Sequence, residues 1–198
     1  PVLDAQSFES TVKQSSGETA EEFQNFLNDN VQNNLLAEIT PTAVEELENG
    51  GTFNLSVYNP YSSSTDGDYN TYIAAFLTGL GIAKYRFTYT LSAESEISDV
   101  VVVCRENNAG DYGFDYEIYI SDQLSNLYTA ENLVFVKNGD EYSEGGQWIT
   151  FDGSGRPSGK YVGFRITDYI GKQSGNEYRY HISELGIYGV ESKPDMTV

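Results

Sequence analysis

Two periodicities divide the chain. In residues 18–36, ETAEEFQNFLNDNVQNNLL, the apolar positions Phe23, Phe26, Leu27, Val31 and Leu35 recur at steps of three and four. That is the spacing of one helix face, and it predicts a helix here. Thr19 followed by Glu22 has the form of a capping box, in which hydroxyl and carboxylate satisfy the first free backbone donors. Ser7–Gln14 reads as a second, shorter helix. Thr40-Pro41 closes the region, because proline pushes its predecessor out of helical conformation.

From about Thr52 the period becomes two. In KYRFTYTLS, residues 84–92, Tyr85, Phe87, Tyr89 and Leu91 share one face, with Arg86, Thr88 and Thr90 on the other. Phe114, Tyr116, Ile118 and Ile120 do the same in residues 114–121, and Val162, Phe164 and Ile166 in 160–168. Further strands are predicted near 52–58, 97–104, 132–137, 147–151 and 180–188, separated by clusters of glycine, asparagine and serine. Many short strands with one buried face imply an antiparallel β-sandwich. The last of them breaks its own rule. In HISELGIYG, residues 181–189, Ile182 is out of phase with Leu185 and Ile187. A bulge at Ser183-Glu184 would repair the phase and re-aim the glutamate.

Composition narrows the function. With 30 acidic against 11 basic residues the formal net charge is −19, which repels phosphate backbones and anionic lipid headgroups. Nucleic acid is therefore excluded as a partner and a membrane surface disfavoured. Cys104 is the only cysteine, so no internal disulfide can form, and His181 is the only histidine. Neither a nucleophile elbow, a phosphate loop, a zinc motif nor a cysteine–histidine pair is present, and the expectation is a chain that is not an enzyme. The sequence has no signal peptide and no apolar stretch of membrane-spanning length, and reads as a mature fragment or excised domain.

Asp66-Gly67-Asp68-Tyr69-Asn70-Thr71 packs hard oxygen ligands into a glycine-permitted turn, the donor type that calcium takes six to eight of. An EF-hand is ruled out, since Thr71 and Leu77 stand where its glycine and its bidentate glutamate belong. An ordinary Asp-Gly turn is the plainer alternative. Arg105-Glu106-Asn107-Asn108, followed by Asp111 and Tyr112, combines planar polar groups that fork onto vicinal hydroxyls with an aromatic ring for a sugar's C–H face.

Several segments, in order, form a family pattern. They are Asn34-Leu35-Leu36 with Thr40-Pro41-Thr42, Thr65-Asp66-Gly67-Asp68 with Thr71, and Tyr89-Thr90-Leu91 leading into 97–103. Tyr116-Glu117-Ile118-Tyr119-Ile120-Ser121-Asp122, the 160–166 segment and 182–189 complete the set. Over about 34–190 the chain resembles the discoidin-type domain, also called the coagulation factor five/eight type C domain. The resemblance is to versions found in bacterial surface proteins and carbohydrate-active enzymes. It implies an all-β jelly roll, galactose-binding-domain-like, over 34–190, with a helical extension at 1–33 and a tail at 191–198. The chain departs from the pattern at Tyr72, where tryptophan is frequent, and in the apolar insert Ile73–Gly81, where a short polar loop is common.

The resemblance also implies a function. It assigns a structural Ca2+ to Asp66, Asp68 and Thr71, with Glu184 supplied by the bulge. It assigns ligand contact to Arg105 and Asn108, and the same end of the sandwich would gather Glu106, Asn107, Tyr112, Tyr61, Tyr169 and Tyr178. The expected partner is a glycan, bound by a monomeric, non-catalytic module of a larger extracellular or cell-surface protein of bacterial type. A protein-binding adhesion module of a bacterial surface protein is the alternative.

Overall fold

The computed structural model describes residues 10–14, 24–25, 28–29, 34–37, 39–48, 55–58, 60–68, 70–78, 84–104, 112–138, 145–171 and 177–192. Ten strands are described: β1 (Ser10–Gln14), β2 (Ala43–Glu48), β3 (Leu55–Tyr58), β4 (Ile73–Thr78) and β5 (Lys84–Cys104), then β6 (Tyr112–Ser121), β7 (Leu133–Lys137), β8 (Gly145–Phe151), β9 (Ser158–Gly171) and β10 (Glu177–Glu191). Every pairing among them is antiparallel.

β5 organises the sandwich, because its two halves serve different sheets. The half around Arg86–Thr90 lies between β2 and β9, giving the order β2-β5-β9-β6-β7. The half from Asp99 to Cys104 lies between β10 and β8, giving β3-β4-β10-β5-β8-β1. Between Thr90 and Ser95 the register against β9 shifts, and there the strand passes from one sheet to the other. The alternating residues meet in the interior as the sequence predicts. Phe87 of β5, Phe114 and Tyr116 of β6 and Phe164 of β9 interlock, with Tyr116 and Phe164 rings 5.2 Å apart and Phe114 edge-on to Phe164 at 6.0 Å. Val100, Val102, Ile149, Ile182, Leu185 and Ile187 close over them from the second sheet. Removing such side chains from water stabilises the fold by about 1.5–3 kcal/mol each.

The outer face of the first sheet is covered by Tyr128, from the turn between β6 and β7. Its ring lies across Gly163, where an added Cβ would sit 2.6 Å from a ring carbon, so only glycine leaves room. Its hydroxyl bonds Thr88 at 2.8 Å, and the Arg86 guanidinium stacks 4.3 Å from its centroid.

The structure corrects four expectations. Ser10–Gln14 is not helical: it pairs along β8 from Ser10–Phe151 to Gln14–Gln147, so the 1–33 extension contributes a strand to the sandwich. Its sequence STVKQ carries β-branched residues, and the open edge of β8 supplies backbone partners that a five-residue helix lacks. Of the predicted 18–36 helix, Gln24, Asn25, Asn28 and Asp29 are helical, whereas Asn34 bridges to Tyr188 and Leu35–Ala37 form a turn. The apolar segment expected as a loop insert is β4 over Ile73–Thr78, hydrogen-bonded on both edges by β3 and β10. The two strands read at 84–92 and 97–104 are one strand of 21 residues.

Candidate functional site

The register of β10 against β5 slips between Ile182 and Glu184, which is the bulge expected from the phase break. Ile182, Leu185 and Ile187 all reach the core, and the Glu184 side chain turns aside to meet the acidic turn. Glu184 is 0% exposed. Gly67 takes φ of 77°, a left-handed conformation that favours glycine, and its N–H donates to Glu184 Oε2 at 3.1 Å. The other carboxylate oxygen, Oε1, accepts from Asn34 Nδ2 at 3.3 Å. Burial pushes the Glu184 carboxyl up to about 9; the Gly67 N–H pulls against this, and the nearby charges of Asp66 and Asp68 add to it.

The turn itself is crowded with oxygen. Thr71 Oγ1 lies 2.8 Å from both Asp66 carboxylate oxygens, 3.0 Å from the Asp68 carbonyl and 3.2 Å from the Ser63 carbonyl. A hydroxyl has one proton to donate, so it cannot satisfy all four acceptors. Oxygens this close together are spaced like neighbours in the shell of an ion bonded at about 2.3–2.6 Å. Asp68 takes part through its carbonyl; its carboxylate accepts from Asn70 N at 2.8 Å and Nδ2 at 3.1 Å, closing its own turn. Among the described residues no three His, Cys, Asp or Glu side chains gather as a metal cluster. The donor set here is instead a mixture of carboxylate, hydroxyl and main-chain carbonyl, the mixture suited to a hard cation. Ser183, the residue before Glu184, has a buried hydroxyl with no hydrogen-bond partner among the described residues.

Of the residues expected at a sugar face, Arg105, Glu106, Asn107 and Asn108 lie outside those described. The strands that flank them are placed. Cys104, the last residue of β5, pairs with Ile182, two residues before Glu184 along β10. Tyr112 opens β6 opposite Gly171, and Tyr169 pairs with Phe114 two residues further in. Tyr178 lies on β10 opposite Leu77 of β4. These three tyrosines therefore sit on strands that run further than the sequence indicates, and not in loops. Tyr61 is half-buried, edge-on to Phe87 at 6.3 Å, and burial raises its hydroxyl pKa. Part of its ring is thus committed to packing.

Sequence reasoning missed Asn34 as a participant. Its signal was a polar residue directly before the apolar pair Leu35-Leu36, which also suits a surface turn. The Ser63 carbonyl in the oxygen cluster was missed too, because a main-chain oxygen leaves no mark on residue type.

No family model and no curated protein matches the chain. Solved structures do. The CBM32-1 and CBM32-2 domains from Clostridium perfringens ZmpB superpose with a TM-score of 0.53 at 15% identity, covering 94% of this chain and 42% of that one. CBM32-3 from a family 31 glycoside hydrolase of Clostridium perfringens gives 0.53 at 16% identity, covering 81% and 97%. Chitosan-binding module 1 from a Paenibacillus sp. IK-5 chitosanase/glucanase gives 0.51 at 21% identity, covering 79% and 98%. The chain thus spans less than half of the ZmpB fragment and nearly the whole of each single module. Its fold is the discoidin-like β-sandwich of these carbohydrate-binding modules.

Proposed function

We propose that this chain is a non-catalytic carbohydrate-binding module that targets a secreted or cell-surface bacterial protein to a glycan, with a structural calcium ion. The observation that carries the reading is the meeting of the bulge and the oxygen-rich turn, where the Gly67 N–H donates to Glu184 Oε2 at 3.1 Å, in a sandwich with the fold of carbohydrate-binding modules. Structures of the same fold support it: the ZmpB domains were solved with GalNAc, and the Paenibacillus module is named for chitosan.

Calcium would be held by Asp66, Thr71 and Glu184 with the carbonyls of Ser63 and Asp68. Bound there it supplies positive charge to a buried carboxylate and to acceptors that one hydroxyl cannot serve. The chain's own residues do the rest. Gly67 gives the turn its left-handed corner and the bulge delivers Glu184. Arg105 and Asn108 would fork onto sugar hydroxyls, with Glu106, Asn107, Tyr112, Tyr169 and Tyr178 as further contacts. A shallow polar contact of this kind gives millimolar to micromolar affinity as an order of magnitude.

A glycan array run with calcium and again with chelator tests the function. Binding to a defined set of glycans, lost in Arg105→Ala, is the expected result. A blank array from protein that calcium still stabilises would remove the sugar reading and leave a protein partner as the target.

A further inference from the structure

Asn34 comes from the turn that precedes the first long strands, yet its side chain reaches Glu184. It is 5% exposed and forms a backbone bridge with Tyr188. Its Oδ1 accepts two backbone N–H groups, from Leu36 and from Ile187, each at 3.0 Å. Those donors fix the orientation of the amide: the oxygen faces the backbone, and the NH2 group faces Glu184 Oε1 at 3.3 Å. Glu184 Oε2 is held by the Gly67 N–H. Each oxygen of the buried carboxylate therefore has one neutral donor, from a different part of the chain. Neutral donors aim a carboxylate without cancelling its charge, whereas a lysine or arginine at position 34 would neutralise it and leave nothing for a cation to do. Gln24 Nε2 adds a second upstream contact, donating to the Gly67 carbonyl at 3.3 Å on the far side of the same residue.

We propose that Asn34 is the positioning residue of this metal site: it orients Glu184 toward the oxygen-rich turn, so that calcium affinity depends on the chain before β2 being docked against β10. The proposal rests on the calcium reading above. Asn34 itself touches no metal; it acts through Glu184.

Calorimetric titration of calcium into the full chain, into Asn34→Ala and into Gly163→Ala separates positioning from stability. Gly163→Ala perturbs packing under Tyr128, away from the turn, and serves as a destabilised control. Positioning predicts that Asn34→Ala weakens calcium binding by about tenfold or more, the usual cost of losing a group that orients a metal ligand. Gly163→Ala should bind calcium as the unaltered chain does. If Asn34→Ala lowers the melting temperature but leaves the calcium Kd unchanged, Asn34 is a structural clamp and the proposal fails. A second measurement covers the case in which Asn34→Ala does not fold. In the unaltered chain the Asn34 side-chain amide resonances should shift on calcium titration and saturate at the calorimetric Kd. Unmoved resonances alongside measurable calcium uptake overturn the proposal and spare the metal site; absence of any uptake removes both.

Discussion

The interior of the sandwich and the acidic turn meet on one strand and are held by opposite means. On β10, Ile182, Leu185 and Ile187 are buried among aromatic and aliphatic neighbours, where loss of water stabilises the fold. Ser183 and Glu184 between them are buried to the same degree. For Glu184 that burial disfavours the charged form, and two aspartates nearby disfavour it further. The core is complete as a set of side chains. The turn is a set of acceptors short of positive charge. One bulged residue lets a single strand supply both, so the same segment carries buried apolar packing and a buried carboxyl group.

Perturbing each region in turn sharpens that contrast. Phe164→Ala should have the largest effect. It empties the space between Phe87, Phe114 and Tyr116 and should cost about 3–5 kcal/mol in denaturant unfolding, the same with calcium or chelator. Calcium comes next. At one hundred times its Kd it should add about 2.7 kcal/mol to the unaltered chain, and nothing to Glu184→Gln, in the same unfolding experiment. A calcium increment that survives Glu184→Gln would take the glutamate out of the site. Gly163→Ala should follow, at about 1–3 kcal/mol, because the new methyl meets the Tyr128 ring and must displace it.

A pH series in chelator gives a slope with a definite sign. The folded Glu184 holds its proton up to about pH 9, against 4.5 for an ordinary glutamate. Below 4.5 both states are protonated and nothing is lost. Between 4.5 and about 9 the unfolded chain binds fewer protons than the folded one, so stability falls as pH rises. Melting temperatures measured across that window should decline without calcium, flatten when calcium is present, and flatten in Glu184→Gln. The smallest change is expected from Arg156→Ala, whose exposed ion pair with Glu96 at 3.4 Å contributes about 0–1 kcal/mol, as thermal melts should register.

The core was legible in the sequence because burial writes itself into period two. Every inward position read in 84–92, 114–121 and 160–168 is buried. The bulge was legible for the same reason: when apolar positions change phase within one strand, an extra residue must be accommodated between them. Asp66, Thr71 and Glu184 were brought together by their resemblance to a family pattern, and the turn and the bulge do meet through Gly67. What was not legible depended on partners rather than on pattern. Ser10–Gln14 becomes a strand because β8 has a free edge, and no local signal in STVKQ reports that edge. β4 reads as an apolar insert until β3 and β10 are seen on either side of it. At Asp68 it is the carbonyl that accepts from the Thr71 hydroxyl while the carboxylate accepts from Asn70, a division that residue type cannot express.

Sharing β5 between the sheets also sets how this chain reaches its native state. Ordering either half of the strand tethers the other, since the strand at the middle of each sheet is the same strand. Its partners, β9 and β10, follow it by more than fifty residues, and β1 must find β8 across most of the chain. Contacts of such sequence separation are closed late and slowly, on the millisecond-to-second scale. Coupling of the two sheets through β5 predicts that backbone amides in its two halves exchange with solvent at a single, global rate, which native-state hydrogen exchange would measure.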